Sequence, residues 1–256
     1  MRFNRELSII QQKMAATSAG VNRRQAVLQA LNLEAGQTIL DVGCGGGHLL
    51  EDLSLAVGEK GSVYGLDPST VQIKSAQSRC MNLTNVELIC DFASKIELAT
   101  KSCDSVASIQ TLEYIKDLDP TLQEITRVLK NNSMFINVSV LWDHFKFHGP
   151  EEKLNNLIHE AFKSHCFHQM LPMVLEGKLK KLGFSNIKNQ ELPFLVTKRH
   201  KNSPAAHAEV ILAMHALKQG ISEEKVLDWQ KQLEIAEKNK TYGFTSFPVL
   251  TASYLI

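Results

Sequence analysis

The stretch Thr38-Ile-Leu-Asp-Val-Gly-Cys-Gly-Gly-Gly-His-Leu-Leu50 sets the architecture of this chain. A short apolar, β-branched run from Thr38 to Val42 is followed by a glycine-rich turn from Gly43 to Gly47 and then by leucines at helical spacing. This pattern predicts a buried strand, a tight turn and a helix. Glycines in such a turn let a ligand lie against the backbone, and the free N–H groups of the following helix face that ligand.

The spacing of the glycines distinguishes between ligand classes. A dinucleotide fingerprint requires G-x-G-x-x-G, but His48 occupies its third glycine position, and the Gly-Lys-Ser/Thr of a P-loop is absent. The turn is instead preceded by a carboxylate, Asp41, which would repel a pyrophosphate and attract an ammonium group. The polarity favours a nucleoside with an amino-acid tail, such as S-adenosylmethionine (SAM). The alternative is a turn that only packs helix on strand.

Two further acidic residues follow predicted strands. Asp67 ends the run Ser62–Leu66, and Pro68 then opens a helix; a carboxylate at this strand tip is placed to hold ribose hydroxyls. Asp91 and Phe92 follow the strand Val86–Cys90. The alternatives are a plain helix cap at Asp67 and a turn residue at Asp91.

Strands and helices alternate regularly from residue 38 to residue 140, with further strands over 104–109 and 133–140. Such alternation predicts a mostly parallel sheet with both faces covered by helices, and ligands then bind outside the carboxyl ends of the strands. Gln110 follows the fourth strand, so it joins the acids and the glycine turn at one edge of the sheet.

These motifs resemble those of the class I SAM-dependent methyltransferases, near the type 11 and ubiquinone/menaquinone-biosynthesis-like group. The resemblance covers about residues 36–140. It implies an α/β, Rossmann-like, seven-stranded sheet that is mostly parallel, with its last strand antiparallel and with helical lid insertions. It also implies SAM as cofactor and transfer of the sulfonium methyl group to an O, N or C nucleophile of a small organic molecule.

The resemblance assigns a role to each site residue. Asp41 would hold the amino end of the cofactor, Asp67 the ribose, and Asp91 with Phe92 the adenine, while Gln110 would line the methyl-transfer pocket. Tyr114 stands where the family usually has histidine. The full set of expected cofactor-binding residues is Asp41, Gly43, Cys44, Gly45, Gly47, Asp67, Pro68, Asp91, Phe92 and Gln110.

The flanking regions are predicted to cover the cofactor cleft. Residues 1–35 hold two helices, over Asn4–Ala16 and Asn22–Leu33, and residues 36–256 form the methyltransferase domain with lid insertions at about 142–170 and 193–243. The first insertion is rich in aromatics and histidines, and it offers His144 and His148 as general-base candidates with ordinary pKa values near 6.5; no metal is expected there. Residues 244–254 predict the last strand, and Pro248 in it indicates an edge or a bulge.

Composition limits the classes of function and partner that remain possible. A net charge of +1 argues against a nucleic-acid binder, and no apolar run reaches the length of a membrane span. The N-terminal residues lack a secretory signal, and five scattered cysteines are typical of free thiols in the cytoplasm. The partner is thus expected to be a small-molecule acceptor, and the sequence is compatible with either a monomer or a homodimer. A protein methyltransferase and a non-catalytic SAM-binding regulatory protein remain as alternatives.

Overall fold

A computed structural model describes residues 5–256 of this chain. The predictions that rest on residues 1–4, the start of the first helix at Asn4 and the missing secretory signal, lie outside the described residues. The first half contains α1 (Arg5–Ala15), α2 (Ser18–Leu31), β1 (Thr38–Val42), α3 (His48–Val57), β2 (Ser62–Leu66), α4 (Thr70–Arg79), β3 (Val86–Ile89), β4 (Cys103–Ile109), α5 (Leu118–Val128) and β5 (Leu129–Val140). The second half contains β6 (Lys146–His148), α6 (Glu152–Lys163), α7 (Leu171–Lys181), β7 (Phe184–Glu191), β8 (Phe194–Val196), α8 (Pro204–Lys218), α9 (Glu223–Lys238), β9 (Gly243–Ser246) and β10 (Pro248–Leu255).

Seven strands form the main sheet in the order β3-β2-β1-β4-β5-β10-β7. The pairs among β1 to β5 are parallel, and β10 runs antiparallel to both of its neighbours. The predicted mostly parallel sheet with one reversed strand is therefore confirmed. The order reverses beside β1, between β2 and β4, and this switch point is where open α/β sheets bind ligands.

The local sequence explains where the helices begin. Thr17 caps α2 by accepting a hydrogen bond from the N–H of Gly20 at 3.3 Å, and Ser69 caps α4 in the same way through the N–H of Gln72 at 3.4 Å. Short polar side chains at these positions satisfy N–H groups that have no partner inside the helix. The caps correct two predicted boundaries: α2 starts at Ser18, before the predicted Asn22, and Pro68 lies before the cap of α4.

Apolar side chains pack on both faces of the main sheet. One core lies against α5 and α7 and includes Leu122, Ile125 and Phe135, all essentially fully buried. The opposite core lies against α2, α3 and α4. Full burial of each large aliphatic side chain contributes about 1.5–3 kcal/mol, so these two layers hold the strand ends in fixed relation to one another.

The predicted last strand was one element, but the structure divides it in two. β9 belongs to a separate three-stranded sheet of order β6-β9-β8, and β10 lies inside the main sheet between β5 and β7. Pro248 is the first residue of β10, where a missing N–H costs little. Its indication of an edge strand was wrong, and the irregularity that β10 does contain lies further along, between Ala252 and Tyr254.

The two insertions share one core. The small sheet packs with α6, α8 and α9 around fully buried Phe147, Phe244 and Trp229, whose indole N–H donates to the side-chain oxygen of Asn155 at 3.0 Å. We call this unit the second lobe: residues 142–166, 194–196 and 204–246. Over residues 5–256, no helix is both long and apolar enough to cross a membrane.

Candidate active site

A cavity of about 770 Å³ opens at the carboxyl ends of β1, β2 and β4, beneath the N-terminal helices and beside the second lobe. Its size lies within the roughly 300–1,000 Å³ that is usual for small-molecule sites. One end is formed by the glycine turn and the strand tips, and we call it the glycine-loop end. The other end, which we call the aromatic end, is lined by Tyr114, Trp142, Phe145, Phe162, His165 and Phe194.

The glycine turn is shaped by its contacts with the neighbouring strands. The N–H groups of Gly43 and Cys44 both donate to the carbonyl oxygen of Leu66, at 2.7 and 3.0 Å. Gly43 has a φ of +77°, and an added Cβ would lie 2.0 Å from the Oγ1 of Thr111. Glycine is required here because the backbone of the turn lies directly against Thr111, two residues after the end of β4.

Asp67 connects the tip of β2 to the glycine turn. Its Oδ2 accepts the N–H of Gly45 at 3.0 Å, and its Oδ1 accepts the N–H of Ser69 at 2.8 Å. The side chain lines the cavity although the residue is only 7 % exposed. A carboxylate has about four acceptor positions, so two remain for hydroxyl groups of a ligand. Burial raises the pKa of Asp67, and the two backbone hydrogen bonds oppose that shift.

Asp41 is the most isolated carboxylate of the site. It is 2 % exposed, lines the cavity and has no hydrogen-bond partner among the described residues. Burial, reinforced by the negative charge of Asp67, raises the pKa of Asp41 to about 8. A buried acid without a partner is stabilised by a cationic ligand, since the ligand's charge replaces lost solvation.

Gln110 lies at the end of β4 in a left-handed conformation, with a φ of +50°. Its N–H donates a hydrogen bond to the carbonyl oxygen of Val138 at 2.7 Å, and the residue lines the cavity. Non-glycine residues in this region carry strain of about 1–3 kcal/mol and persist where the surroundings hold them. The role of Gln110 in lining a methyl-transfer pocket stays a prediction.

Most of the other predicted cofactor-binding residues lie on the cavity wall. Cys44, Gly45, Pro68 and Phe92 all line it, and Phe92 keeps 67 % of its surface exposed. Burial and nearby carboxylates raise the pKa of the Cys44 thiol, so it is a packing residue rather than a thiolate.

Two predicted residues are not among those lining the cavity. Gly47 caps α3 with a φ of +81°, and a Cβ there would approach Ala76 of α4 at 3.1 Å, so its role is to let two helices pack closely. Asp91 is half-buried, and its Oδ1 accepts the N–H of Phe92 at 2.7 Å. Gly46 lines the cavity where Gly47 was expected.

The general-base prediction for His144 and His148 disagrees with the structure. Both residues are exposed, and neither lines the cavity. The ring of His144 lies against Phe247, and the Nε2 of His148 lies 3.3 Å from the Oγ1 of Thr245. The strand β6 and the turn before it direct both imidazoles outward, because the alternate residues Phe145 and Phe147 fill the lobe core.

His48 and His165 both line the cavity, and neither was selected from the sequence as a catalytic residue. His165 lies at the aromatic end. Its Nδ1 donates to the carbonyl oxygen of Phe162 at 2.7 Å, so in the neutral ring Nε2 carries the lone pair, and this atom has no partner among the described residues. Burial lowers the pKa of His165 to about 4. Its ring stacks on Phe162 at 3.9 Å and meets Trp142 edge-on at 4.3 Å.

The N-terminal helices form the roof of the glycine-loop end. Gln72 of α4 accepts a hydrogen bond from Ser8 at 2.8 Å and donates to Gln11, so α1 is tied to the main sheet through one buried amide. Arg23 of α2 also lines the cavity. Glutamines on an amphipathic helix carry no distinctive sequence signal, so this contact could not be predicted from the sequence.

Comparison with known proteins identifies the family. A family model described as a methyltransferase domain matches residues 33–240. A demethylmenaquinone methyltransferase of Oceanobacillus iheyensis is 29 % identical over 168 residues, which cover 60 % of this chain and 70 % of that protein. The chain spans only about half the length of most other curated relatives that it matches.

Two solved structures share the fold. The YcgJ protein of Bacillus subtilis matches with a TM-score of 0.65 at 14 % identity, covering 92 % of this chain and 98 % of that one. Phosphoethanolamine N-methyltransferase 2 of Haemonchus contortus, solved with SAM, matches with a TM-score of 0.64 at 21 % identity, covering 98 % and 57 %. The chain therefore belongs to the methyltransferase-domain family, and its resemblance to class I SAM-dependent methyltransferases of the ubiquinone/menaquinone-biosynthesis-like group is confirmed.

Proposed function

We propose that this chain transfers the sulfonium methyl group of SAM to an O, N or C nucleophile of a small organic molecule. The observation that carries the proposal is the single cavity with two chemically different ends. The glycine-loop end offers carboxylates and backbone groups suited to a polar, cationic nucleoside. The aromatic end offers rings suited to a flat or apolar acceptor, and the two ends are continuous.

The glycine-loop end has the chemistry that SAM requires. Asp41 is a buried carboxyl group with no hydrogen-bond partner among residues 8–256, and an ammonium group would compensate its negative charge. Asp67 keeps acceptor positions for ribose hydroxyls after its bonds to Gly45 and Ser69. At Gly45, an added Cβ would meet only the side-chain amide of Gln72, at 3.7 Å, so the backbone is open towards a ligand.

When bound, SAM supplies an activated methyl group on a sulfonium sulfur, so the chain's own residues need only position the reactants and exclude water. Asp41, Asp67 and Phe92 would hold the donor at the glycine-loop end. Gln110 and Thr111 line the cavity, and rings of the second lobe line its aromatic end. Well-oriented approach of this kind lowers a barrier by roughly 7–11 kcal/mol.

The enclosed aromatic end favours a small acceptor over a protein side chain. Trp142, Phe145 and Phe162 are each less than 10 % exposed and pack edge-on or stacked against one another. A protein substrate would need a channel to the surface at this end. A purely regulatory SAM-binding protein would have no use for a second, apolar compartment beside the cofactor.

The cellular location is also part of the proposal. All five cysteines lie in the described part of the chain as free thiols, three of them buried. Free thiols are typical of a reducing compartment such as the cytoplasm.

Calorimetric titration with SAM and with its demethylated product, S-adenosylhomocysteine (SAH), tests the cofactor assignment directly. Saturable binding by the wild-type protein is expected, followed by methyl transfer from labelled SAM to members of a small-molecule acceptor panel. No binding of either nucleoside by well-folded protein would contradict the proposal. Binding without transfer to any small molecule, but with transfer to a protein extract, would favour the protein methyltransferase.

A further inference from the structure

Arg79, the last residue of α4, is bonded to the glycine turn. Its Nε donates to the carbonyl oxygen of Gly46 at 2.9 Å, and its Nη1 lies 3.6 Å from the Oε2 of Glu51 in the first turn of α3. Gly46 lines the cavity, whereas Arg79 does not. A charge-assisted hydrogen bond therefore holds the carbonyl oxygen of Gly46 on the side of the turn that faces away from the cavity.

The peptide unit that joins Gly46 to Gly47 has both of its polar groups paired. Its carbonyl oxygen accepts the bond from Arg79, and its N–H donates to the carbonyl oxygen of Cys44 at 3.0 Å. Gly47 has a φ of +81°, and turning the peptide unit over would bring this angle into the negative region, which glycine adopts about as readily. Backbone sterics therefore allow both orientations of the unit, and the two hydrogen bonds select one of them.

The orientation of this peptide unit decides which groups the turn presents to a ligand. The N–H groups of Gly46 and His48, two residues that line the cavity, have no acceptor among residues 8–256. They lie where α3 begins, and the N-terminal end of a helix favours negative charge. A carbonyl oxygen turned into the same space would repel an anionic group. The bond from Arg79 prevents this by holding the oxygen of Gly46 on the other side.

We propose that Arg79 is a positioning residue for cofactor binding: it holds the carbonyl oxygen of Gly46 away from the cavity, so that the turn presents N–H groups to the amino-acid tail of SAM. The inference rests on the proposed methyl-transfer function, in which the ammonium group of that tail meets Asp41 at the same turn. Arg79 lies outside the cavity lining, so it acts through the backbone of Gly46 and not by touching the cofactor. The adenine and the ribose, which Phe92 and Asp67 would hold, do not depend on this contact.

Two ligands separate an effect on the amino-acid tail from a general loss of structure. SAH carries the tail, whereas 5′-methylthioadenosine keeps the adenosine and the sulfur but lacks the tail. Both are titrated by calorimetry into the wild type, Arg79→Met and Arg79→Lys. Glu51→Gln removes the other partner of Arg79 and leaves the bond to Gly46, and Lys74→Met removes an exposed charge from the same helix as the matched control. Thermal unfolding verifies that each variant is folded.

Arg79→Met is expected to weaken SAH binding by about tenfold, the effect of one hydrogen bond to a charged group, and to leave 5′-methylthioadenosine within about twofold of the wild type. Arg79→Lys should restore part of the SAH affinity, because its ammonium group still donates hydrogen bonds. Glu51→Gln and Lys74→Met should match the wild type with both ligands. Without ligand, amide hydrogen exchange at Gly47 should be faster in Arg79→Met, since the N–H of Gly47 leaves Cys44 when the peptide unit turns over.

Four results would overturn the inference: unchanged SAH affinity in Arg79→Met, an equal loss for both ligands, a loss of SAH affinity with unchanged exchange at Gly47, or an equal loss in Glu51→Gln. The second would show a structural role alone, and the third an effect of charge alone. If the wild type binds neither ligand, the methyl-transfer function itself fails, so the two failures are distinguishable. Should Arg79→Met not fold, Arg79→Gln, which is polar and uncharged, takes its place under the same criteria.

Discussion

The carboxylate of Asp67 accepts the backbone N–H of Gly45 at 3.0 Å, and this one hydrogen bond joins the tips of two adjacent parallel strands. The same side chain accepts the N–H of Ser69, which starts the turn into α4. Asp67 therefore shapes the glycine turn from below while it presents its remaining acceptor positions to the cavity. A ligand hydroxyl and the turn depend on the same carboxylate.

Replacing Asp67 should therefore affect both binding and stability. Asp67→Asn keeps the shape of the side chain but places an amide group against two backbone N–H donors. Because hydrogen bonds to a charged group contribute about 1.5–3 kcal/mol, we expect SAH binding to weaken by about tenfold or more. Calorimetry of SAH binding measures the first effect and thermal unfolding the second. Glu87→Gln, an exposed carboxylate on β3, is the control. Wild-type SAH affinity in Asp67→Asn would contradict the ribose assignment.

The exposed ring of Phe92 leads to a second prediction. An aromatic side chain that is 67 % exposed and lines the cavity is available to stack on the adenine base, and such stacking is worth about 1–3 kcal/mol. Phe92→Ala should weaken SAH binding by roughly fivefold to a hundredfold with little change in stability. Asp91→Ala measures whether its carboxylate also reaches the adenine, as the resemblance implies. Because Asp91 bonds to the N–H of Phe92 and does not line the cavity, we expect it to have the smaller effect.

The sheet and the glycine-loop end could be predicted because short-range patterns determine them. The apolar run of β1, the glycine spacing and the acid that ends β2 are all local signals, and the parallel topology then brings the strand tips together. The structure places Asp41, Gly43, Gly45, Asp67 and Gln110 on one cavity wall, at the edge where the sequence put them.

The aromatic end could not be predicted because it depends on long-range packing. His144 and His165 lie in the same histidine-rich insertion, and only the burial of Phe145 and Phe147 in the lobe core decides which imidazole faces outward. The division of the final strand at Phe247 has the same origin, since β9 pairs with β6 and β8 from distant parts of the chain. Periodicity carries no information about such pairings.

Gly43 gives a prediction about the turn itself. In Gly43→Ala the new Cβ would lie 2.0 Å from the Oγ1 of Thr111, and the residue would also keep a φ of +77°. We expect a loss of about 3 kcal/mol or more in the free energy of unfolding, from overpacking together with left-handed strain. Gly36→Ala is the control, because its φ is +88° with open space around the Cβ position. Chemical denaturation of both variants separates the clash from the strain, and equal losses would show that the contact with Thr111 is unimportant.

The exposed histidines give a prediction about catalysis. His144→Gln and His148→Gln should leave methyl transfer to the best acceptor of the panel within about twofold of wild type, because both imidazoles are exposed and outside the cavity lining. The measurement is kcat and KM with labelled SAM over pH 6–9. A loss of kcat in either variant, together with the disappearance of a step in the pH profile, would instead restore the general-base assignment.

Asp41 gives a prediction about pH. Its pKa in the folded protein is about 8 against an ordinary value of 3.8, because the carboxyl group is buried beside Asp67. The folded state therefore binds the proton of Asp41 more tightly than the unfolded state does. The resulting contribution to the free energy of unfolding is complete below pH 4 and is lost as the pH rises towards 8. Asp41→Asn removes this titration. The free energy of unfolding of the variant should therefore decline less than that of the wild type between pH 5 and 8.

Urea denaturation of both proteins across this pH range, without ligand, measures the difference. Glu113 titrates in the same window, with a pKa of about 7, and it is present in both proteins, so its effect cancels in the comparison. A ligand that brings an ammonium group to Asp41 should lower the pKa of this carboxyl group, and SAH binding at pH 7 should then release protons in wild type but fewer in Asp41→Asn. Parallel stability profiles for the two proteins would show that Asp41 is ionised throughout and would remove the physical basis for its role as the ammonium partner.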